Sequence, residues 1–236
     1  MISVFDMFSI GIGPSSSHTV GPMKAAKIFA DHLEEKSLLE KTDRVRTELF
    51  GSLGQTGIGH GTGKAVILGL AGEAPETIAV DSIETILADV VTSEQISLLA
   101  KHQVSFPKND AIIYHRRKTL PAHANAMTLY AYSGEQLLLE ETYYSIGGGF
   151  IVQDCDFEQE KDKALSLHAN IKRPYSFSSA DQLIELATTN GLSISTIMME
   201  NEKCLNDEAT VRKQLLSIWA AMKASVDRGM KTEGIL

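Results

Sequence analysis

The sequence predicts an α+β fold: a sandwich of a mostly antiparallel sheet with helices, followed by a helical segment. Three observations predict it. Val45, Thr47 and Leu49 alternate with Arg44, Arg46 and Glu48, and similar short runs recur to residue 144. Ala25, Ala26, Phe29 and Leu33 recur at spacings of three and four, the helical period. Composition then shifts: 15 of the 18 glycines precede residue 155, whereas the stretch from 157 onward is rich in Glu, Lys, Leu and Ala. Interleaved short strands and helices read as one layered unit and the later stretch as helices.

The elements follow in order. Ile2–Phe5 and Phe8 form a short apolar segment before Gly11 and Gly13. Met23 to Lys36 reads as an amphipathic helix, with Pro22 in its first turn, where a missing N–H costs little. Asp43 to Phe50 is a half-buried strand. A glycine-rich turn leads to a short apolar helix over Gly63 to Leu70, which Gly72 ends as C′. Residues 83–91 and 93–101 carry mixed helical periodicity, and Ala111 to His115 reads as a strand. Met127 to Tyr132 and Gln136 to Tyr144 pair as a hairpin across Ser133-Gly134. Beyond the linker, Ser178-Ser179-Ala180-Asp181 reads as a capping box and Asn190-Gly191 as a helix stop. Asp207 to Met230 is a long helix whose stripe of Leu215, Ile218, Trp219, Met222 and Val226 reads as core.

Composition excludes several classes. The chain has 236 residues, with 22 Lys plus Arg against 30 Asp plus Glu and a formal charge of −8. An acidic chain whose one basic run is Arg116-Arg117-Lys118 does not read as a nucleic-acid binder. The longest apolar stretch, Ala65 to Gly72, is far short of the ~20 residues that span a bilayer. The opening residues lack a positively charged region and carry Asp6, so no secretion signal is read. Cys155 and Cys204 lack CxxC spacing, which argues against a disulfide framework or a metal clip. The expectation is a soluble, cytoplasmic protein.

Four segments carry candidate chemistry. In Gly11-Ile-Gly-Pro-Ser15-Ser16-Ser17-His18-Thr19-Val-Gly21, hydroxyls lie between glycines and feed a helix N-terminus, an arrangement suited to a carboxylate or phosphate. The plainer alternative is an over-decorated helix cap. Gly51 to Lys64 resembles a phosphate-binding loop but fails the pattern: Gly57 is one residue early, Ile58 holds the required glycine position, and Ala65 replaces the metal-binding hydroxyl. What remains is His60 held among glycines beside Thr62, a base that titrates near neutrality or else a surface histidine. His123 and Asn125 point the same way on an extended chain and can hold a small polar ligand, or one of them caps a turn. Ser145-Ile-Gly147-Gly148-Gly149 suits a backbone that wraps a ligand, or is an ordinary loop.

In this order, SIGIGPSSSHTVGPMKAA, LFGSLGQTGIGHGTGKA, the His123-Ala-Asn125-Ala-Met127 segment and YYSIGGGF resemble the β portion of bacterial iron–sulfur-dependent L-serine dehydratases (L-serine ammonia-lyases). The resemblance covers about residues 1 to 155, and residues 175 to 236 resemble the opening helices of that family's α portion. It therefore implies a β-type domain over 1–156, then a linker and incomplete α-type segment over 157–236. A similar small-molecule-sensing domain occurs in some phosphoglycerate dehydrogenases. The resemblance further implies conversion of L-serine to pyruvate and ammonia without pyridoxal phosphate. The implied cofactor is a 4Fe-4S cluster whose one cysteine-free iron acts as a Lewis acid on the substrate. His60 matches the base. Ser16, Ser17, His18 and Thr19 match the lining of the substrate cleft, with Thr62, His123, Asn125 and Ser145 close by. A cytoplasmic homo-oligomer is the implied assembly.

One departure matters. The family's cluster cysteines lie in the α portion, and Cys155 and Cys204 do not match them. No metal ligand is therefore assigned in this chain, and the cluster's cysteines are expected outside it. The chain is expected to be a truncated enzyme, a fragment, or a subunit completed by a missing α-type segment; its run past the α/β boundary favours truncation. The alternative is a non-catalytic serine-binding regulatory or dimerisation module.

Overall fold

The computed structural model describes residues 3–8, 10–13, 15–157 and 172–234. Two compact units emerge: Gly11–Lys161, and Met1–Ile10 together with Asp162–Leu236. Ile2 of the opening apolar segment, most of the expected linker (158–171), and residues 235–236 lie outside the described residues.

The larger unit begins with Ser16–Val20, a single π-helical turn that runs directly into α2 (Gly21–Glu35); α1 (Val4–Met7) belongs to the other unit. Ala25, Ala26, Phe29 and Leu33 of α2 are all buried, as their spacing predicts. β1 (Arg44–Phe50) follows with the expected alternation: Val45, Thr47 and Leu49 face inward. The chain then turns at Gly51 into α3 (Gly51–Thr56), rounds a turn at 57–61, and enters α4 (Thr62–Leu70). The sequence shows only a glycine-rich turn here, so α3 is an addition. Gly72, at φ +98, ends this helix as expected. The α2–α4 crossing is tight, for a Cβ on Gly69 would lie 2.2 Å from the Met23 carbonyl.

α5 (Ile83–Ser93) matches the helical reading of 83–91. The reading of 93–101 is corrected: this stretch holds β2 (Gln95–Leu98), which pairs with β3 (His102–Ser105) as an antiparallel hairpin. β4 (Ile112–Tyr114), β5 (Asn125–Ser133), β6 (Gln136–Gly147) and β7 (Phe150–Gln153) complete a seven-stranded sheet: six strands run in the order β2-β3-β1-β5-β6-β7, and β4 pairs with β1 off that path. The expected hairpin is present, with Ser133 opposite Gln136. The sheet is mostly antiparallel; the parallel pairs are β1 with β3 and β1 with β4, side by side along one edge of β1. Val45, Leu49, Met127, Leu129 and Ala131 on its inner face join Met23, Phe29, Leu33, Val66 and Leu70 in one core. This core fixes the ends of β1, β5 and β6, and thus the loops carrying the candidate residues.

The helical unit contains α6 (Ala180–Asn190), α7 (Ile194–Glu202) and α8 (Glu208–Gly229). The capping box sits one residue later than expected: Ser179 is the N-cap and accepts from the Gln182 N–H at 3.3 Å. The Gln182 amide oxygen accepts from the Ser178 N–H at 2.8 Å. Gly191, at φ +62, stops α6 as expected. The buried Glu202 carboxylate caps α1, accepting from the Ser3 hydroxyl at 2.7 Å and the Val4 N–H at 2.9 Å. Glu202→Ala removes the acceptor of both bonds and strands the Val4 N–H, and is expected to lower stability by about 1–3 kcal/mol. The readout is a reduced urea midpoint with an unchanged slope; an unmoved midpoint would show that the clamp contributes nothing.

The core assignment of Trp219 is corrected. Only Val211 of α8 is buried, and Trp219 is 59% exposed, along with exposed Leu216, Met222 and Val226. The stripe is present, with Leu215 and Ile218 half-buried, but among the described residues Trp219, Met222 and Val226 are left uncovered. No helix of the described residues is long and apolar enough to cross a membrane.

Candidate active site

The triple-serine segment is built as a wide helical turn. Ser15 is its cap, with Oγ accepting from the His18 N–H at 3.4 Å. One serine thus performs the capping role, and Ser16 is left exposed. Ser17 is committed to His18, its Oγ 2.9 Å from Nδ1. The turn closes where the Gly21 N–H meets the Ser16 carbonyl, a bond one residue longer than in an α-helix. A Cβ on Gly21 would lie 2.1 Å from Ser145 Oγ, so glycine is required for β6 to approach this turn.

His60 lies against the same turn. Its ring centroid is 4.8 Å from that of His18, with the planes tilted by 40°. The Thr19 hydroxyl donates to the His60 carbonyl at 3.0 Å, and the buried Thr62 hydroxyl donates to the His18 carbonyl at 2.7 Å. These two threonines cross-link the turn to the start of α4. The His60 ring nitrogen Nδ1 lies 3.0 Å from the Thr56 carbonyl. A carbonyl can only accept, so the proton sits on Nδ1 and the Nε2 lone pair is left for other use.

His18 is buried. Burial, and after it the neighbouring His60, hold its pKa below the ordinary histidine range, while a hydrogen bond with the Ser52 backbone pulls it back up.

The third and fourth segments meet the first at Ser145. The Asn125 side-chain amide donates to the Ser145 carbonyl at 3.2 Å. His123 caps its own turn, Nδ1 accepting from the Asn125 N–H at 3.1 Å, which is the turn-cap alternative, while its Nε2–H remains available as a donor. Ser145 Oγ is buried and, among the described residues, has no hydrogen-bond partner. Ser52, which the motifs do not single out, links the two halves. Its N–H donates to the Ala124 carbonyl at 2.8 Å, and its Oγ lies 3.0 Å from His18 Nε2. Only strand topology brings position 52 beside position 18, so no local spacing announces it.

A cavity of about 340 Å³ opens beside His60, lined by Ile12, Thr19, Ile58, His60 and Lys64 among others. Of the expected site residues only Thr19 and His60 line it; Ser16, Ser17, His18, Thr62, His123, Asn125 and Ser145 do not. The structure therefore gathers His60, Thr19, Thr62, His18 and Ser17 at one corner. Asn125, Ser145 and the His123 turn adjoin it through Gly21 and Ser52. For metal, the described residues contain no group of three or more His, Cys, Asp or Glu placed to hold an ion. Cys155 and Cys204 are both exposed free thiols and belong to different units.

Paired imidazoles, clustered hydroxyls and an adjoining cavity thus meet at one corner of the α+β domain. Residues 3–156 match the family model described as serine dehydratase beta chain. The whole chain is 51% identical to the L-serine dehydratase of Streptomyces coelicolor, covering 51% of that protein. It is also 45% identical to L-serine dehydratase 1 of Escherichia coli, again covering 51% of it, and 35% identical over 98% of its own length to L-serine dehydratase of Helicobacter pylori. The chain belongs to the serine dehydratase beta chain family, and it spans about half the length of the curated relatives it matches.

Proposed function

We propose that this chain is the N-terminal part of an L-serine ammonia-lyase, which converts L-serine to pyruvate and ammonia. The observation that carries the reading is the junction of four sequence-distant segments through His18, Ser52 and Gly21, with His60 against His18 and the buried hydroxyl of Ser145 lacking a partner among the described residues. Buried polar atoms are nearly always satisfied, so an orphan hydroxyl in such a junction suits a polar ligand. Matches over the whole of this chain, though about half of each relative, to proteins named L-serine dehydratase support L-serine as the substrate.

In this reading His60 is the base. Its Nδ1–H is held by the Thr56 carbonyl, so Nε2 takes the proton from the substrate Cα. Ser16, Ser17, His18 and Thr19 form the carboxylate-binding turn, with Thr62 fixing its backbone and His123, Asn125 and Ser145 lining the adjoining wall. The 4Fe-4S cluster that the family resemblance implies does not fit the described residues, which offer no ligand set. Its cysteines are proposed to lie in the polypeptide equivalent to the relatives' other half. A cytoplasmic homo-oligomer completes the reading.

The exposed stripe of α8 favours a missing α-type partner segment, because contiguous apolar side chains of this size are rarely left in water. Supplying the remaining half of the Streptomyces coelicolor relative as a separate polypeptide is expected to yield a complex that forms pyruvate from L-serine. Trp219→Glu should weaken that association at least tenfold, roughly the effect of removing an aromatic anchor, read by titration of the two polypeptides. Association without pyruvate, accompanied by L-serine binding in calorimetry, would instead support the non-catalytic serine-binding module, which the absent ligand set also fits. No association and no L-serine binding would sink both readings.

A further inference from the structure

We propose that Ser52 is a positioning residue: with Ser17 it clamps the His18 ring at both nitrogens and so sets the surface against which the His60 base stands. The inference rests on His60 being the base of the proposed lyase. No motif points to Ser52, and its role follows from how it is held and what it holds.

Ser52 is anchored before its side chain acts. The Gly51 N–H donates to the Lys118 carbonyl at 2.8 Å, and the Ser52 N–H donates to the Ala124 carbonyl at 2.8 Å. The Ser52 carbonyl accepts the Thr56 hydroxyl at 2.9 Å, and Thr56 in turn presents the carbonyl that holds His60 Nδ1. Residue 52 is thus fixed to the segment bearing His123 and Asn125, and lies one helical turn from the residue that orients the base.

Its hydroxyl meets His18 Nε2 at 3.0 Å, while Ser17 Oγ meets Nδ1 at 2.9 Å. A neutral imidazole has one donor and one acceptor nitrogen, so one of the two serines donates and the other accepts. Ser17 Oγ in turn lies 3.4 Å from Ser15 Oγ, which extends the hydroxyl chain behind the ring. The ring is held at both ends, and its carbonyl is held by Thr62. Loss of one end leaves the ring free to pivot about the other, and the His18–His60 contact at 4.8 Å is the contact that pivot changes.

The test uses Ser52→Ala, which removes the hydroxyl, and Ser52→Thr, which keeps it. In the pyruvate-forming complex, Ser52→Ala is expected to lower kcat by up to about 100-fold, the scale of a misplaced reacting group, with KM little changed. Ser52→Thr should recover most of that loss. Ring-nitrogen NMR of the 236-residue chain itself should show His18 as one tautomer with hydrogen-bonded shifts, averaged in Ser52→Ala and restored in Ser52→Thr. Urea unfolding of each variant separates misfolding from misplacement. Unchanged kcat in Ser52→Ala overturns the proposal, as does an unchanged His18 spectrum. A wild-type complex that forms no pyruvate counts against the lyase reading instead, and the spectra then decide the clamp alone.

Discussion

His60→Ala is expected to lower pyruvate formation from L-serine by roughly 10²- to 10⁴-fold in the proposed assembled enzyme, the usual range for loss of a positioned general base. His60 is half-buried beside a cavity, and its Nδ1 is committed to the Thr56 carbonyl. Nε2 is the nitrogen with a free lone pair, and alanine removes it without touching the backbone carbonyl that Thr19 uses. The turn should therefore persist, and L-serine should still bind with similar heat in calorimetry. The readouts are pyruvate release in a coupled assay and iron content, which should stay at the wild-type level. His60→Gln is the companion variant, since it offers polar atoms but no base near neutral pH. Turnover within a few-fold of wild type in either variant would remove His60 from the chemistry, leaving the family assignment intact but the mechanism wrong.

Where the fold was legible in the sequence, burial and period coincide. The α2 stripe of Ala25, Ala26, Phe29 and Leu33 and the β1 alternation are each backed by one face packed in the core. The stretch from 93 to 101 misleads for a definable reason. β2 is only four residues long, and the turn that follows places Leu99 and Ala100 at φ 51 and 56, a conformation for which neither residue type gives a signal. The α8 stripe has a correct period but no local neighbour, and period alone reports an apolar face without saying what covers it. The candidate site divides similarly. Local motifs mark the serine turn, His60, His123, Asn125 and Ser145, because glycines and hydroxyls cluster there. The bonds that join them depend on Ser52 and Gly21, whose importance arises only when β1, β5 and β6 are brought together.

Gly51 is where fold and site depend on the same atoms, and Gly51→Ala is expected to have the largest effect on stability. The residue ends β1 at φ +55, a left-handed conformation that strains a side chain by about 1–3 kcal/mol. A Cβ there would lie 2.1 Å from the Ala124 carbonyl oxygen, which is backbone and cannot rotate away. That carbonyl accepts the Ser52 N–H, so relief of the clash pulls the acceptor from its donor and adds roughly 1–3 kcal/mol for a stranded backbone group. A total loss of about 2–6 kcal/mol follows, against a typical domain stability of about 5–15 kcal/mol. Urea unfolding of the 236-residue chain should show it as a lowered midpoint. The displacement also separates Ser52 from the segment bearing His123 and Asn125, so the His18 ring signals should broaden in the fraction that remains folded. Gly134→Ala is the internal control: Gly134 also has φ +55, but nothing lies within 4 Å of its would-be Cβ. If the two substitutions destabilise equally, φ strain explains everything and the Ala124 contact carries no energy; a clear excess at position 51 assigns the difference to that contact.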